Sequence, residues 1–324
     1  MRELIIERSL LIYRQKIIDL IEMRKYPYIQ TSVFIDERYQ FSGNQLATFW
    51  DKDANLSITD EELQGIALEL NFSETTFIYK PEIDSCSVKV RIFTPGKELK
   101  FAGHPTLGTA FVLKKRDLIS REIKKTIMEL GIGPIEVEFF EDQSIGMYQP
   151  KPKFMVKYDD KESLAKIIGL KPNDILDDYP MQAVSTGFPF LIVPIKSLEI
   201  IQKISLNPQL QLETLNDFIT PDLLVFTTET IHKDSSIHSR MFAPSAGVLE
   251  DPATGSAAGP MGAYLEHWNV LTNHTQSTDI KIEQGYEINR PSQLIVRNLY
   301  TEDDITNVLV SGKVKKTAVG EFYL

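Results

Sequence analysis

One cysteine, Cys86, stands in 324 residues, so no internal disulfide can form and no site can use two thiols. No apolar run approaches the ~20 residues that a membrane-spanning helix needs. Basic residues are the minority charge. The 35 Lys and Arg against 45 Asp and Glu leave a formal net charge of −10, a poor electrostatic match for nucleic acid or an anionic membrane. No basic stripe with interleaved aromatics appears either. The five histidines (104, 232, 238, 267 and 274) form no H-E-x-x-H or Cys/His ligand spacing, so no metal site is expected. Gly131-Ile132-Gly133-Pro134 falls between two strand-like runs and lacks the helix that a dinucleotide or phosphate loop requires. Charges interrupt the apolar stretch after Met1 and no small-residue cleavage site follows, which excludes a secretory signal and makes the cytoplasm the expected location.

What remains is an ordinary globular composition, 42% hydrophobic and 25% charged, long enough for two domains. Residues 1–26 read as an extension. Leu10, Tyr13, Ile17, Leu20 and Ile21 recur at helical spacing, and Pro27 stops the pattern. Strand-like runs begin at Tyr28. Thr59, with Glu62 three residues on, predicts a capping box for a helix through Leu70. A small-residue helix follows Pro105 and fades at Lys114-Lys115. Gln149-Pro150-Lys151-Pro152-Lys153 reads as a linker, giving a first half over 27–148 and a second over 149–315, with a tail of about 316–324 able to return to the first.

The chain repeats itself. Arg91-Ile92-Phe93-Thr94-Pro95 and Arg240-Met241-Phe242-Ala243-Pro244 share R-x-F-x-P at an offset of 149 residues. His104-Pro105-Thr106-Leu107-Gly108-Thr109-Ala110 and Asp251-Pro252-Ala253-Thr254-Gly255-Ser256-Ala257 share [HD]-P-x-x-G-[ST]-A at 147. Phe77 falls opposite Phe226, and Ser42-Gly43 opposite Thr186-Gly187. Four patterns in one order predict a duplicated domain. Each copy starts a helix, whose unpaired N–H groups and partial positive charge attract anions. Two such ends facing across a cleft would cradle a small carboxylate, with glycines 103, 108 and 255 allowing close approach.

His104 and Asp251 pair a base with an acid at matched positions of that alignment, which simple helix capping would not require. Glu74, in Ser73-Glu74-Thr75-Thr76-Phe77, sits just before a strand, where burial can raise its pKa toward neutrality. The 149-residue offset places Leu223 opposite it, so the duplication supplies one such carboxylate and points to a single base. A Ser/His/Asp hydrolase built on Ser256 lacks the G-x-S-x-G elbow. A racemase or epimerase, and a silent carboxylate-binding protein, stay open on these residues.

Phe41-Ser42-Gly43-Asn44, Asn71-Phe72-Ser73-Glu74-Thr75-Thr76-Phe77, Phe101-Ala102-Gly103-His104-Pro105-Thr106 and Glu250-Asp251-Pro252-Ala253-Thr254-Gly255-Ser256-Ala257, with Gln284-Gly285, Arg290-Pro291-Ser292 and Gly320-Glu321-Phe322, occur in an order that resembles the PhzF-like phenazine-biosynthesis isomerases, relatives of diaminopimelate epimerase. The match covers about residues 27–324. It implies an α+β fold of two pseudo-symmetric domains, each a mixed sheet or barrel around a central helix, with the active site between them. It implies an isomerase of a small carboxylic acid that uses no cofactor or metal and is commonly a homodimer. Glu74 maps to the proton-carrying residue, and His104, Asp251 and Ser256 map to the groups that position and polarise substrate. Gly43, Asn44, Gly103, Thr254 and Gly255 map to substrate-binding positions. Cys86, on a predicted strand outside these motifs, argues against the two-thiol racemases of the wider superfamily.

Overall fold

Strand alternation and two buried helices organise the structure, a computed structural model that describes residues 23–271, 278–302 and 304–324. The helix expected over residues 10–21 lies outside those residues. Its expected end does not hold, because Lys25–Val33 is already a strand. Pro27 is tolerated there because pairing to the neighbouring strand Asn44–Phe49 starts only at Tyr28.

The first half closes into an eight-stranded barrel. Its strands run, in pairing order, Lys25–Val33, Asn44–Phe49, Glu74–Tyr79, Val88–Phe93, Lys125–Leu130, Gly133–Phe139, Ser144–Gln149 and the long last strand Asp304–Tyr323, which returns to pair with Lys25–Val33. The second half repeats the same sequence of parallel and antiparallel neighbours from Gln182–Ser185 through Ser292–Thr301, with Lys153–Lys157 and the early part of the last strand at its ends. The two halves exchange strands at the join. Ser144–Gln149 belongs to the first barrel while Lys153–Lys157, just after it, pairs in the second. The last strand does the reverse, pairing with Ser292–Thr301 first and with Lys25–Val33 afterwards.

A 13-residue helix threads each barrel, Gly103–Lys115 in the first and Gly255–His267 in the second. Neither has a polar face. Apart from the exposed-end residues each is buried throughout, which is why small residues such as Ala257, Ala258 and Gly259 dominate the second. One continuous apolar core fills both interiors. Separate clusters lie outside each sheet, under the helix Asp60–Leu70 in the first half and under Lys161–Ile168 in the second. Thr59 and Glu62 form the expected capping box on Asp60–Leu70. Cys86 is buried in the turn before Val88–Phe93 rather than on the strand.

The registers correct two of the expected correspondences. Thr75 pairs with Phe93 and Leu223 with Phe242, and the two phenylalanines are the equivalent residues of R-x-F-x-P. The counterpart of Glu74 is therefore Asp222, not Leu223. The faces agree. Ile78 and Leu224 point into the barrel core, whereas Leu223 packs in the outer cluster, and a one-residue slip in a strand exchanges faces. Likewise the helices begin at Gly103 and Gly255, and Ile92 pairs with Leu99 as Met241 pairs with Asp251. Arg91 forks onto Glu98 and Arg240 onto Glu250. All three relations share an offset of 152 residues, so His104 corresponds to Ser256, and Asp251 to Leu99. The shared H/D-P-x-x-G motif reflects the similar composition of two helix starts, five residues out of step.

Candidate active site

The starts of the two central helices touch. A Cβ added to Gly103 would lie 2.4 Å from the Ser256 nitrogen and 2.5 Å from Gly255, so only glycine permits this approach. One cleft is lined by Ala102, Thr254 and Ser256 at these starts, where the first turn of a helix leaves N–H groups without intrahelical partners. The lining of this cleft includes Glu74, Ala102, Asp251, Thr254 and Ser256 near the helix starts. Leu99, Phe101, Phe188, Phe190, Met241 and Asp222 also line it.

Glu74 opens the strand Glu74–Tyr79, held parallel to Asn44–Phe49 through its pairing with Leu46. Its Oε2 lies 3.4 Å from His104 Nε2, and neither atom has a hydrogen-bond partner although both are buried. Burial, and then the charge of Asp251, raises the Glu74 pKa well above the ordinary carboxyl value. Burial pushes His104 the other way, down to about 3, opposed by a hydrogen bond to the Gln45 backbone. The pair is thus a carboxyl that resists ionisation beside a neutral imidazole, both with unspent hydrogen-bonding capacity at the cavity.

Asp251, at the end of the strand Val248–Asp251, is the opposite case. Asn44 Nδ2 donates to its Oδ1 at 2.8 Å, and the Thr254 hydroxyl donates to its Oδ2. Burial still raises its pKa to about 6 against these hydrogen bonds and one from Ser73. Asn44 also donates to the Ala253 carbonyl at 3.1 Å and lies 3.0 Å from His104 Nδ1, joining the two halves behind the cavity. Gln284 fastens the same loop, donating to the Asp251 carbonyl at 2.7 Å and to the Thr254 hydroxyl at 3.0 Å. Gly43 sits further back. Its carbonyl accepts from Arg290 and its φ of +77° lies in the left-handed region. A Cβ there would meet the Val33 carbonyl at 2.6 Å.

Glu74, Asp251, Thr254 and Ser256 therefore line one cleft; His104 adjoins it through Glu74, Gly103 and Gly255 through the touching helix starts, with Asn44 bonded to Asp251 and Gly43 in the supporting loop. The sequence motifs gave no sign of Asp222, which also lines the cleft, or of the aromatic pair Phe188 and Phe190, whose ring centroids are 5.4 Å apart. Strand alternation could have found Asp222, two positions before the inward-facing Leu224. Among the described residues no group of three or more His, Cys, Asp or Glu side chains is arranged to hold a metal ion, and no helix is long and apolar enough to cross a membrane.

Comparison with known proteins converges on one group. The sequence profile of the phenazine biosynthesis-like proteins (PhzC-PhzF) matches residues 32–319. A trans-2,3-dihydro-3-hydroxyanthranilate isomerase of Pseudomonas aeruginosa is 35% identical over 92% of this chain and 99% of its own length. An uncharacterized isomerase of Clostridium acetobutylicum is 34% identical over 90% of this chain and 95% of its own. The crystal structure of a PhzF-family protein of Bacillus anthracis superposes with a TM-score of 0.83 at 28% identity, covering 93% of this chain and all of that one. A hydroxyproline epimerase from Agrobacterium vitis, 8% identical over 93% of both chains, shares the fold at a TM-score of 0.62.

Proposed function

The chain belongs to the phenazine biosynthesis-like protein family and is an isomerase, and on that premise we propose that it moves a proton within a small unsaturated or cyclic carboxylic acid, with Glu74 as the proton carrier. The observation that carries this reading is the approach of Glu74, on the cleft, to His104: Oε2 and Nε2 lie 3.4 Å apart, and both atoms are buried without a hydrogen-bond partner. A structural carboxyl in such a place would cost stability without return; a raised pKa suits a group that must take and give back a proton near neutral pH.

In this scheme the substrate carboxylate lies against the first-turn N–H groups at Gly103, Gly255 and Ser256. The ionised Glu74 carboxylate removes a proton from an sp3 carbon. The C–H electron pair enters the conjugated system, and its charge is spread toward the carboxylate and met by the same N–H groups. Glu74 then returns the proton to a different carbon and a double bond shifts. One C–H bond breaks and one forms, with no change of oxidation state and no cofactor. His104 and Ser256 hold the reacting end from either side, while Asn44 and Thr254 hold Asp251 in place beside it. The cyclic carboxylic acid named for the Pseudomonas aeruginosa relative places this substrate class first among those to try.

The test is deuterium incorporation from heavy water into a panel of small cyclic dienoic and amino acids, with wild type and Glu74→Gln. Exchange or a shifted double bond with wild type, reduced at least ~100-fold in the variant, is expected. Equal exchange by both proteins would remove Glu74 from the mechanism.

A further inference from the structure

Gln284-Gly285 and Arg290-Pro291-Ser292, two motifs to which the proposed mechanism gives no part, bound one short connection between the strands Ile280–Gln284 and Ser292–Thr301. We propose that Arg290 is a positioning residue for the proton transfer: it holds the backbone of Ser42 and Gly43 so that Asn44 keeps Asp251 and His104 in their working positions. This rests on the reading of Glu74, His104 and Asp251 as the reacting group.

The connection has two arms. Gln284 donates to the Asp251 carbonyl and to the Thr254 hydroxyl. Arg290 reaches from the second half of the molecule to the first. Its Nε and Nη2 donate to the Gly43 carbonyl at 2.9 and 2.6 Å, and Nη2 also reaches the Ser42 carbonyl at 2.9 Å. The Gly43 nitrogen donates to the Pro291 carbonyl at 3.0 Å. Close packing fixes the backbone between the arms. A Cβ on Gly285, whose φ is +81°, would lie 2.4 Å from the Arg290 carbonyl oxygen and 2.5 Å from that of Pro252. A shift of Arg290 is therefore felt both at Asp251-Pro252 and at Gly43-Asn44.

Two observations separate Arg290 from an ordinary link between the halves. Arg38 also bridges them, but through carboxylates, Asp36 on its own side and Asp234 on the other. Arg290 is half-buried, and among the described residues its side chain donates to carbonyl and hydroxyl oxygens alone. Burial lowers its pKa, with no carboxylate to oppose the shift. A partly buried cation without a counter-ion costs stability, so a joint serving stability alone is better made as Arg38 makes it.

The second observation is Asn44 itself. Its buried Nδ2 lies within reach of Asp251 Oδ1 at 2.8 Å, His104 Nδ1 at 3.0 Å and the Ala253 carbonyl at 3.1 Å. Its Oδ1 is buried without a partner, so no donor on that oxygen fixes the rotation of the amide. The backbone at Gly43-Asn44 must set it, and Arg290 grips that peptide. The cleft lining includes neither Arg290 nor Ser42, Gly43 or Asn44, so the effect should fall on turnover and spare binding.

The experiment compares wild type with Arg290→Gln, Arg290→Lys and Arg38→Gln, each first checked for a cooperative thermal transition. The Asn44 side-chain amide, identified by the loss of its NMR signal in Asn44→Ala, reports position without any substrate. Arg290→Gln should speed exchange of its protons with heavy water at least about tenfold through local opening. Arg290→Lys, which cannot fork onto two carbonyls, should show an intermediate change, and Arg38→Gln none. Turnover is read with trans-2,3-dihydro-3-hydroxyanthranilate, the compound in the name of the Pseudomonas aeruginosa relative, and with the panel of cyclic acids. In Arg290→Gln kcat should fall about 10- to 100-fold with KM within about threefold, because misplacement costs rate more than affinity. Arg38→Gln should keep both within about twofold.

An unchanged Asn44 signal in Arg290→Gln, or a raised KM with kcat intact, overturns the proposal. An equal loss in Arg38→Gln does so too, since both arginines would then be general links between the halves. If the glutamine variant does not fold, Arg290→Lys decides, and wild-type values for its amide exchange and kcat overturn the proposal. If wild type turns over none of the acids, the isomerase scheme fails, and the Asn44 signal alone supports or overturns the hold of Arg290.

Discussion

The two halves of this molecule share a barrel, a threaded helix and a glycine at its start, yet equivalent positions carry different chemistry. Glu74 answers to Asp222, and His104 to Ser256. Asp251 answers to Leu99, so one half offers a carboxylate where the other offers an apolar wall. In the first half Glu74 Oε2 and His104 Nε2 are unpartnered, whereas in the second Asp222 is held by Ser245 and Asp251 by Thr254, which Gln284 fastens in turn. Duplication supplied two like frames and a shared cleft. Divergence left one frame with a buried carboxyl–imidazole pair and the other with carboxylates held by hydrogen bonds.

The contact that both frames depend on can be broken directly. Gly103→Ala would drive a Cβ into the backbone of Gly255 and Ser256 and force the halves apart. It should cost about 3 kcal/mol or more in chemical denaturation and most of the activity. Gly65→Ala, on the outer helix, meets nothing within 4 Å and should gain up to about 1 kcal/mol.

Stability against pH sharpens the contrast between the two carboxyls. The folded-state pKa of Glu74 stands above its unfolded value of about 4.5, so the unfolded chain ionises first and wild type loses stability as pH rises. Glu74→Gln should therefore melt higher than wild type at pH 7, with the difference vanishing near pH 4. Asp222→Asn should show the same sign, with the difference opening between about pH 3.8 and 6 and then levelling off. Thermal melts from pH 4 to 9 would show either curve; a Glu74→Gln difference of opposite sign would mean that the buried carboxyl is stabilised by a partner. The smallest effect compares the two helix starts. On the proposed mechanism His104→Asn should lower kcat about tenfold more than Ser256→Ala does, because His104 Nε2 lies 3.4 Å from the Glu74 carboxyl. Equal losses would mean that both residues merely position substrate.

Much of this architecture is legible in the amino-acid sequence. The capping box at Thr59 and Glu62, the strands, the duplication and the residues gathered at the cleft follow from local patterns and motifs. Register does not, because R-x-F-x-P fixes the offset on its own strand alone. A one-residue slip at Glu74 and a five-residue slip at Asp251 leave every local pattern intact while changing which residues correspond. Only hydrogen-bonded neighbours decide that. The aromatic wall leaves no local pattern either, since Phe101 and Phe188 meet at the cleft from elements far apart in sequence.

The exchanged strands have a consequence for how the chain acquires its shape. The last strand closes the first barrel by pairing with residues near position 30, and the Thr317 hydroxyl reaches the Gln30 carbonyl across 287 residues of sequence. A nascent chain leaving the ribosome therefore carries a barrel with an open seam until nearly all of it has been made, its strand edge exposed to neighbours. Each half waits for the other, so the molecule gains its reactive cleft and seals its open edges in the same late event.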